Sequence, residues 1–181
     1  YVTPPGTATS LTLGDDTTAA VNLSSSFPYI GGTTTSLEVC SNGFVSVATG
    51  NGTGFTPSAA GWLGSLQPRW GSWHDFNPTI AGSGAVKFHE AGNISYVTWD
   101  GVFSFSTTSG GNTFQFQFDR STGNVTMVWG AMAGTGNGFL VGYAAAAPNT
   151  DTGTYTFKVG TGTNSFQYVD VNTSNLTTAN I

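Results

Sequence analysis

Residues Phe114–Trp129 read FQFQFDRSTGNVTMVW. In an extended chain Phe114, Phe116 and Phe118 fall on one face and Gln115 and Gln117 on the other, because successive strand side chains point to opposite sides. The segment Asp119–Asn124 carries Asp, Ser, Gly and Asn, the residues that favour turns. Val125, Met127 and Trp129 then repeat the alternation. This spacing predicts a β-hairpin with one apolar face, which is stable only when a second layer covers the rings.

The same period recurs outward from the hairpin. Val86–His89 and Ile94–Trp99 flank the turn Glu90–Asn93 and predict a second hairpin. Further strands are expected near Leu11–Leu13, Ala19–Leu23, Leu37–Cys40, Phe44–Ala48, Val102–Phe105, Gly138–Tyr143, Tyr155–Val159 and Phe166–Val171. No segment holds a helical apolar period over ten positions without Gly or Pro, and the Ala144–Ala147 run ends at Pro148. The expected fold is all-β: a two-sheet antiparallel β-sandwich, jelly-roll-like, with essentially no helix. Residues 1–181 are expected to form a single domain with extended arms at 1–10 and 166–181. The Gly-rich stretch Gly50–Gly64 (GNGTGFTPSAAGWLG) is expected to be a surface loop.

Charged residues are only 7% of the chain, against about 25% in ordinary domains. Gly, Thr, Ser and Asn fill the polar positions instead. Lys87, Lys158, Arg69 and Arg120 are the whole cationic complement, and the net charge is -5. That excludes a basic stripe, hence nucleic acid and anionic membranes as partners. A hydroxyl- and amide-rich surface points to an extracellular or cell-surface location. No apolar run of about 18 residues predicts membrane insertion, and Tyr1 opens no signal peptide, so the chain is read as a mature or excised piece. Cys40 stands alone and is expected as a small buried side chain on a strand. Asn-x-Ser/Thr sequons at Asn22, Asn51, Asn93, Asn124, Asn172 and Asn175 are candidate glycosylation sites.

Several blocks occur in a telling order: Phe27-Pro-Tyr29, Thr35-Ser-Leu-Glu-Val-Cys-Ser-Asn-Gly-Phe-Val-Ser-Val47, Trp73-His-Asp-Phe-Asn77, Gly84-Ala-Val-Lys-Phe88, Val97-Thr-Trp-Asp-Gly-Val102, Asn112-Thr-Phe-Gln-Phe116 and Asn124-Val-Thr-Met-Val-Trp-Gly130. From Phe27 to Tyr143 this order resembles nidogen-like extracellular domains and related modules of large secreted bacterial proteins. The resemblance implies a β-sandwich serving adhesion or matrix assembly rather than catalysis. That family often carries two acidic residues two apart after the Trp; here the positions are Asp75 and Asn77.

The densest chemistry lies in Trp70–Gly84, WGSWHDFNPTIAGSG. It is expected to be a corner between strands, with Trp73 and Phe76 inserted and Asp75 and Asn77 shaping the turn. Asp75 and Asn77, with carbonyls from Gly82–Gly84, are the candidate metal ligands. Their oxygens would suit Ca2+, and no other cofactor is expected; Asp15-Asp16 is a second oxygen source. Trp62, Trp70 and Trp73 are the candidate ligand-binding rings, and core packing is their ordinary role. His74, His89, Asp75, Glu90 and Asp100 are the raw material for acid-base work. Neither a Gly-x-Ser-x-Gly elbow nor a His-Glu-x-x-His helix is present, and His89 is expected to face solvent on a strand. The expectation is therefore no enzyme and no catalytic residues.

Self-assembly is expected from the arms. Tyr1–Ser10 and Phe166–Ile181 carry one charge, Asp170, and can add a strand to a neighbour's open sheet edge; the alternative is that both arms close the sandwich of one copy. The expected function is a structural or adhesion module forming a filament or surface matrix by strand addition. Its partners would be other copies of itself, extracellular proteins or glycans. The runner-up is a carbohydrate-binding module.

Overall fold

The computed structural model describes residues 1–133, 136 and 138–149, together with the backbone of two strands at 160–161 and 167–171. Its strands are β1 (Thr9–Ser10), β2 (Thr18–Tyr29), β3 (Gly32–Cys40), β4 (Phe44–Ser46), β5 (Arg69–Trp73), β6 (Ala85–Ala91), β7 (Ile94–Val102), β8 (Asn112–Asp119), β9 (Val125–Trp129), β10 (Leu140–Ala144), β11 (Gly160–Thr161) and β12 (Gln167–Val171). A five-residue helix, α1 (Ala59–Leu63), lies between β4 and β5. The strands form two antiparallel sheets, one ordered β1-β6-β7-β8-β9-β12-β11 and the other β10-β5-β4-β3-β2. This is the predicted sandwich. The expected strand at Tyr155–Val159 and the sequons Asn172 and Asn175 lie outside the described residues.

The FQFQF hairpin sits where its period requires. Phe114 pairs with Trp129, Phe116 with Met127 and Phe118 with Val125, so both strands turn the same apolar face inward. Against it the smaller sheet presents Phe27, Leu37, Val39, Val45 and Trp70. Phe27, Trp70 and Phe118 meet edge to face across the sheets at 5.4–5.8 Å, the geometry aromatic quadrupoles favour. Two indoles also bridge the layers: Trp99 Nε1 donates to the Ser41 carbonyl at 2.9 Å and Trp129 Nε1 to Ser72 Oγ at 3.1 Å.

Two expectations are corrected. The start of WGSWHDFNP is not a corner, because Arg69–Trp73 is an interior strand of the smaller sheet, paired with β4 and β10. Strand pairing on both sides overrides the Gly-Ser at its middle. Gly71 is required there: a Cβ would lie 2.3 Å from the Trp62 ring. The second correction concerns Gly50–Gly64, which is more than a surface loop. It folds over the outer face of the smaller sheet and drives Trp62 into a second core with Cys40, Phe44, Trp73, Leu140 and Ala144. The short helix that carries Trp62 is capped by Ser58, whose Oγ accepts from Gly61 N–H at 3.1 Å.

Arg120 joins the two sheets. Strand β2 loses register with β3 between Asn22 and Phe27, leaving Ser24 and Ser25 unladdered. The Arg120 guanidinium donates to both serine hydroxyls, to the carbonyls of Gly92 and Asn93, and faces Glu90 at 3.4 Å. Burial alone would raise the Glu90 carboxyl; hydrogen bonds from Ser95 and Ser24, with Arg120, hold it below its ordinary range.

The N-terminal arm supplies the edge strand β1, whereas β12 of the C-terminal arm lies inside the larger sheet, between β9 and the edge strand β11. Thr9 pairs with Phe88 and Ser10 with Lys87, while β12 pairs with β9 and β11 lies beyond it.

Candidate functional site

After β5 the chain crosses one end of the sandwich. Phe76 forms an isolated bridge with Ser104, the Asp75 carbonyl accepts from Phe105 N–H, and Phe103 accepts from Asn77 N–H. The hub of this end is Asn42, from the Ser-Asn-Gly-Phe motif. Its Nδ2 donates to Asp16 Oδ1 at 2.7 Å and to the Thr53 carbonyl at 3.0 Å, and its Oδ1 accepts from Phe76 N–H at 3.0 Å. Its carbonyl accepts from His74 N–H. Gly43 follows at φ +83, where a Cβ would lie 2.2 Å from the Ser72 carbonyl, so only glycine lets the motif turn.

Asn42 thereby brings together two segments that the sequence kept apart. Carboxylate oxygens of Asp15, Asp16 and Asp75 all lie within 4.8 Å of one another. Asp16 takes φ +51, and Asp15 Oδ1 is buried without a hydrogen-bond partner. Burial first, then the charges of Asp16 and Asp15, push the Asp75 carboxyl up to about 6. Asn77, paired with Asp75 as a candidate ligand, is spent locally: its Oδ1 accepts from Thr79 N–H at 2.8 Å and from Thr79 Oγ1 at 2.6 Å. The oxygen donors that converge are Asp75 with Asp15 and Asp16.

His74 is fully buried. Its Nδ1 lies 2.6 Å from the Gly138 carbonyl, which can only accept, so Nδ1 carries the proton. Nε2 then accepts from the Ser104 hydroxyl at 2.9 Å. Phe139 stacks on the ring at 4.1 Å, and burial lowers the imidazole's pKa, keeping it neutral. The pair has a base and a hydroxyl, but a backbone carbonyl stands where a triad places a carboxylate, and Ser104 is 1% exposed. It ties the segment before β10 to Ser104, two residues past the end of β7. His89 also departs from expectation. It is buried, stacked on Tyr96 at 4.5 Å, rather than open to solvent.

The three candidate indoles are all interior. Trp70 packs between the sheets, and Trp62 and Trp73 pack against Arg69 on the outer face. None offers an open ring for stacking on a sugar. Arg69 is 3% exposed and lies 4.0 Å above the Trp62 ring, with Nη2 donating to the Gly61 carbonyl. Burial lowers its pKa to about 10. No ion-pair partner faces it among the described residues, and the aromatic box takes that role. Cys40 is buried on β3 as expected, its thiol pushed up to about 12 chiefly by burial.

Among the sequons, Asn22 and Asn93 are exposed. Asn51 is not free to carry a glycan without cost: its Nδ2 donates to Ser46 Oγ and the Gln67 carbonyl, and its Oδ1 accepts from Leu66 and Gln67 N–H. It pins the start of the segment that covers Trp62. Beside it a recess of about 150 Å³ is lined by Glu38, Ser46 and Thr53 over Phe44.

Comparison of the chain with protein-family models, with curated proteins and with solved structures gives no match.

The carboxylate cluster makes a pH-dependent prediction. A carboxyl whose folded pKa is raised contributes its stability while protonated and loses it as pH rises through the folded value, here about 6. Asp75→Asn should therefore raise Tm by a few degrees at pH 8, and the gain should vanish toward pH 4. Thermal melts of both proteins across that range check it. A gain that persists at pH 4 would mean the amide acts by some other contact. The same melts of the parent chain in millimolar calcium test the ion: binding to the folded state must raise Tm, and no shift removes calcium from consideration.

Proposed function

We propose that this chain is a non-enzymatic extracellular module of structural or adhesive character, whose copies join by β-strand addition into a filament or surface matrix. The arrangement of the larger sheet carries the proposal: β1 of the N-terminal arm forms one edge, and on the other side β12 of the C-terminal arm pairs with β9, with β11 beyond it. An edge strand held by backbone hydrogen bonds can be supplied by a neighbouring copy in the same register. The low charge, with few lysines to block edge pairing, favours such contacts. The order of motifs that resembles nidogen-like domains points the same way. The sealed His74–Ser104 pair, lacking an orienting carboxylate, supports a role without catalysis.

Sedimentation velocity over a wide concentration range, beside negative-stain electron microscopy, tests the proposal. The intact chain should give a ladder of oligomers or regular fibres, and removal of residues 1–10 should shift it toward monomer. A clean monomer at every concentration would overturn it.

A further inference from the structure

Resting on the assembly reading above, we infer that the outer face of the larger sheet at Gln115, with the adjoining β6 edge, is a peptide-acceptor site whose trans occupant is residues 1–11 of a second copy. Gln115 is buried, although it projects from the face of β8 opposite the core rings. Its amide grips the backbone of Val2 from both sides: Oε1 accepts from Val2 N–H at 3.0 Å and Nε2 donates to the Val2 carbonyl at 2.7 Å. One side chain thus copies the donor-acceptor pair of a β-ladder. Thr98 Oγ1 and Gln117 Nε2 bond the same amide at 2.8 and 2.9 Å and fix its orientation before the peptide arrives. The second hold is the β6 edge, where Thr9 and Ser10 pair with Phe88 and Lys87 and Leu11 N–H donates to Val86.

Between the two holds Thr3, Pro5, Gly6 and Thr7 are exposed, and Val2 itself is 40% exposed. The arm is bound mainly through its backbone, with little apolar area to lose on release. Its anchor follows at once: Leu13 is buried in the core, and Gly14 leads into the Asp15–Asp16 turn. The same bonds form in cis or in trans. The cis arm competes at an effective concentration on the order of 1 mM, so exchange is favoured by crowding of copies.

The test uses the intact chain labelled with 15N and an unlabelled synthetic peptide of residues 1–12 at several times that concentration. The labelled amides of Val2–Ser10 should move to the positions of the free peptide, while the Gln115 side-chain NH2 signals stay at their bound positions. A peptide of residues 4–12, lacking the Val2 grip, should compete about tenfold more weakly, the ratio that about 1.4 kcal/mol gives. This second arm needs no protein variant that could misfold. Labelled arm signals that stay in place, or equal potency of the two peptides, would overturn the site. Displacement by peptide together with a strictly monomeric chain would keep the acceptor and sink the filament. Assembly that proceeds without displacement would do the reverse.

Discussion

Replacing Arg120 by Ala lowers Tm by about 6–12 °C. Breaking a buried pair by removing one partner costs about 3 kcal/mol or more, and a chain of this size loses about 2–4 °C per kcal/mol. The Arg120 side chain is 4% exposed and Glu90's 20%, so water cannot repair the gap. The cost is larger than one ion pair suggests, because the guanidinium also serves Ser24, Ser25 and the carbonyls of Gly92 and Asn93. Those groups belong to β2 in one sheet and to the β6–β7 turn in the other. The planar fork is needed to reach them together, so Arg120→Lys should recover only a minor part of the loss. Calorimetry of the two variants beside the parent chain decides this; a loss under about 2 °C for Arg120→Ala would show that the sheets hold without the brace.

Trp62→Ala is expected to cost about 3–5 kcal/mol, the range for emptying a buried Trp site. Trp62 is fully buried on a five-residue helix that has little stability of its own. Its ring packs on Trp73 at 5.8 Å and on Phe44 at 6.4 Å, and covers Arg69. Without it the Arg69 charge loses the nearest of its three aromatic partners and the segment from Asn51 to Leu63 loses its anchor. Gly71→Ala attacks the same contact from below, since its Cβ would meet the ring at 2.3 Å. It should cost about 1–3 kcal/mol, the usual penalty for overpacking. Proteolysis separates the two cores: both variants should be cut in the Gly50–Gly64 stretch faster than the parent chain, while hydrogen exchange in β7 and β8 stays slow. Equal protection of both regions would mean that they unfold as one unit.

The sequence determined the class of fold and much of its register. Alternation in FQFQF and VTMVW is a local property with period two, and it gives the hairpin one apolar face that a second layer must cover. The burial of Cys40 was expected from its small apolar side chain, and it is met in the second core, apart from Leu37 and Val39 in the first. Tertiary structure decided what alternation does not encode. Arg69–Trp73 has Gly and Ser at its centre and gives a weak strand signal, yet pairing with β4 and β10 makes it interior. The candidate site was legible in parts: Asp75 and Asp15-Asp16 stood out as oxygen donors, but their meeting depends on Asn42, which looks like an ordinary turn residue. His74, Ser104 and Gly138 are likewise joined across 30 and 64 positions, distances no local pattern spans. Arg120 looked like one of four scattered cations. Its role appears only when a bulge in one sheet and a turn in the other come within reach of one guanidinium, because hydrogen-bond geometry is set by the packing of layers and not by the order of residues.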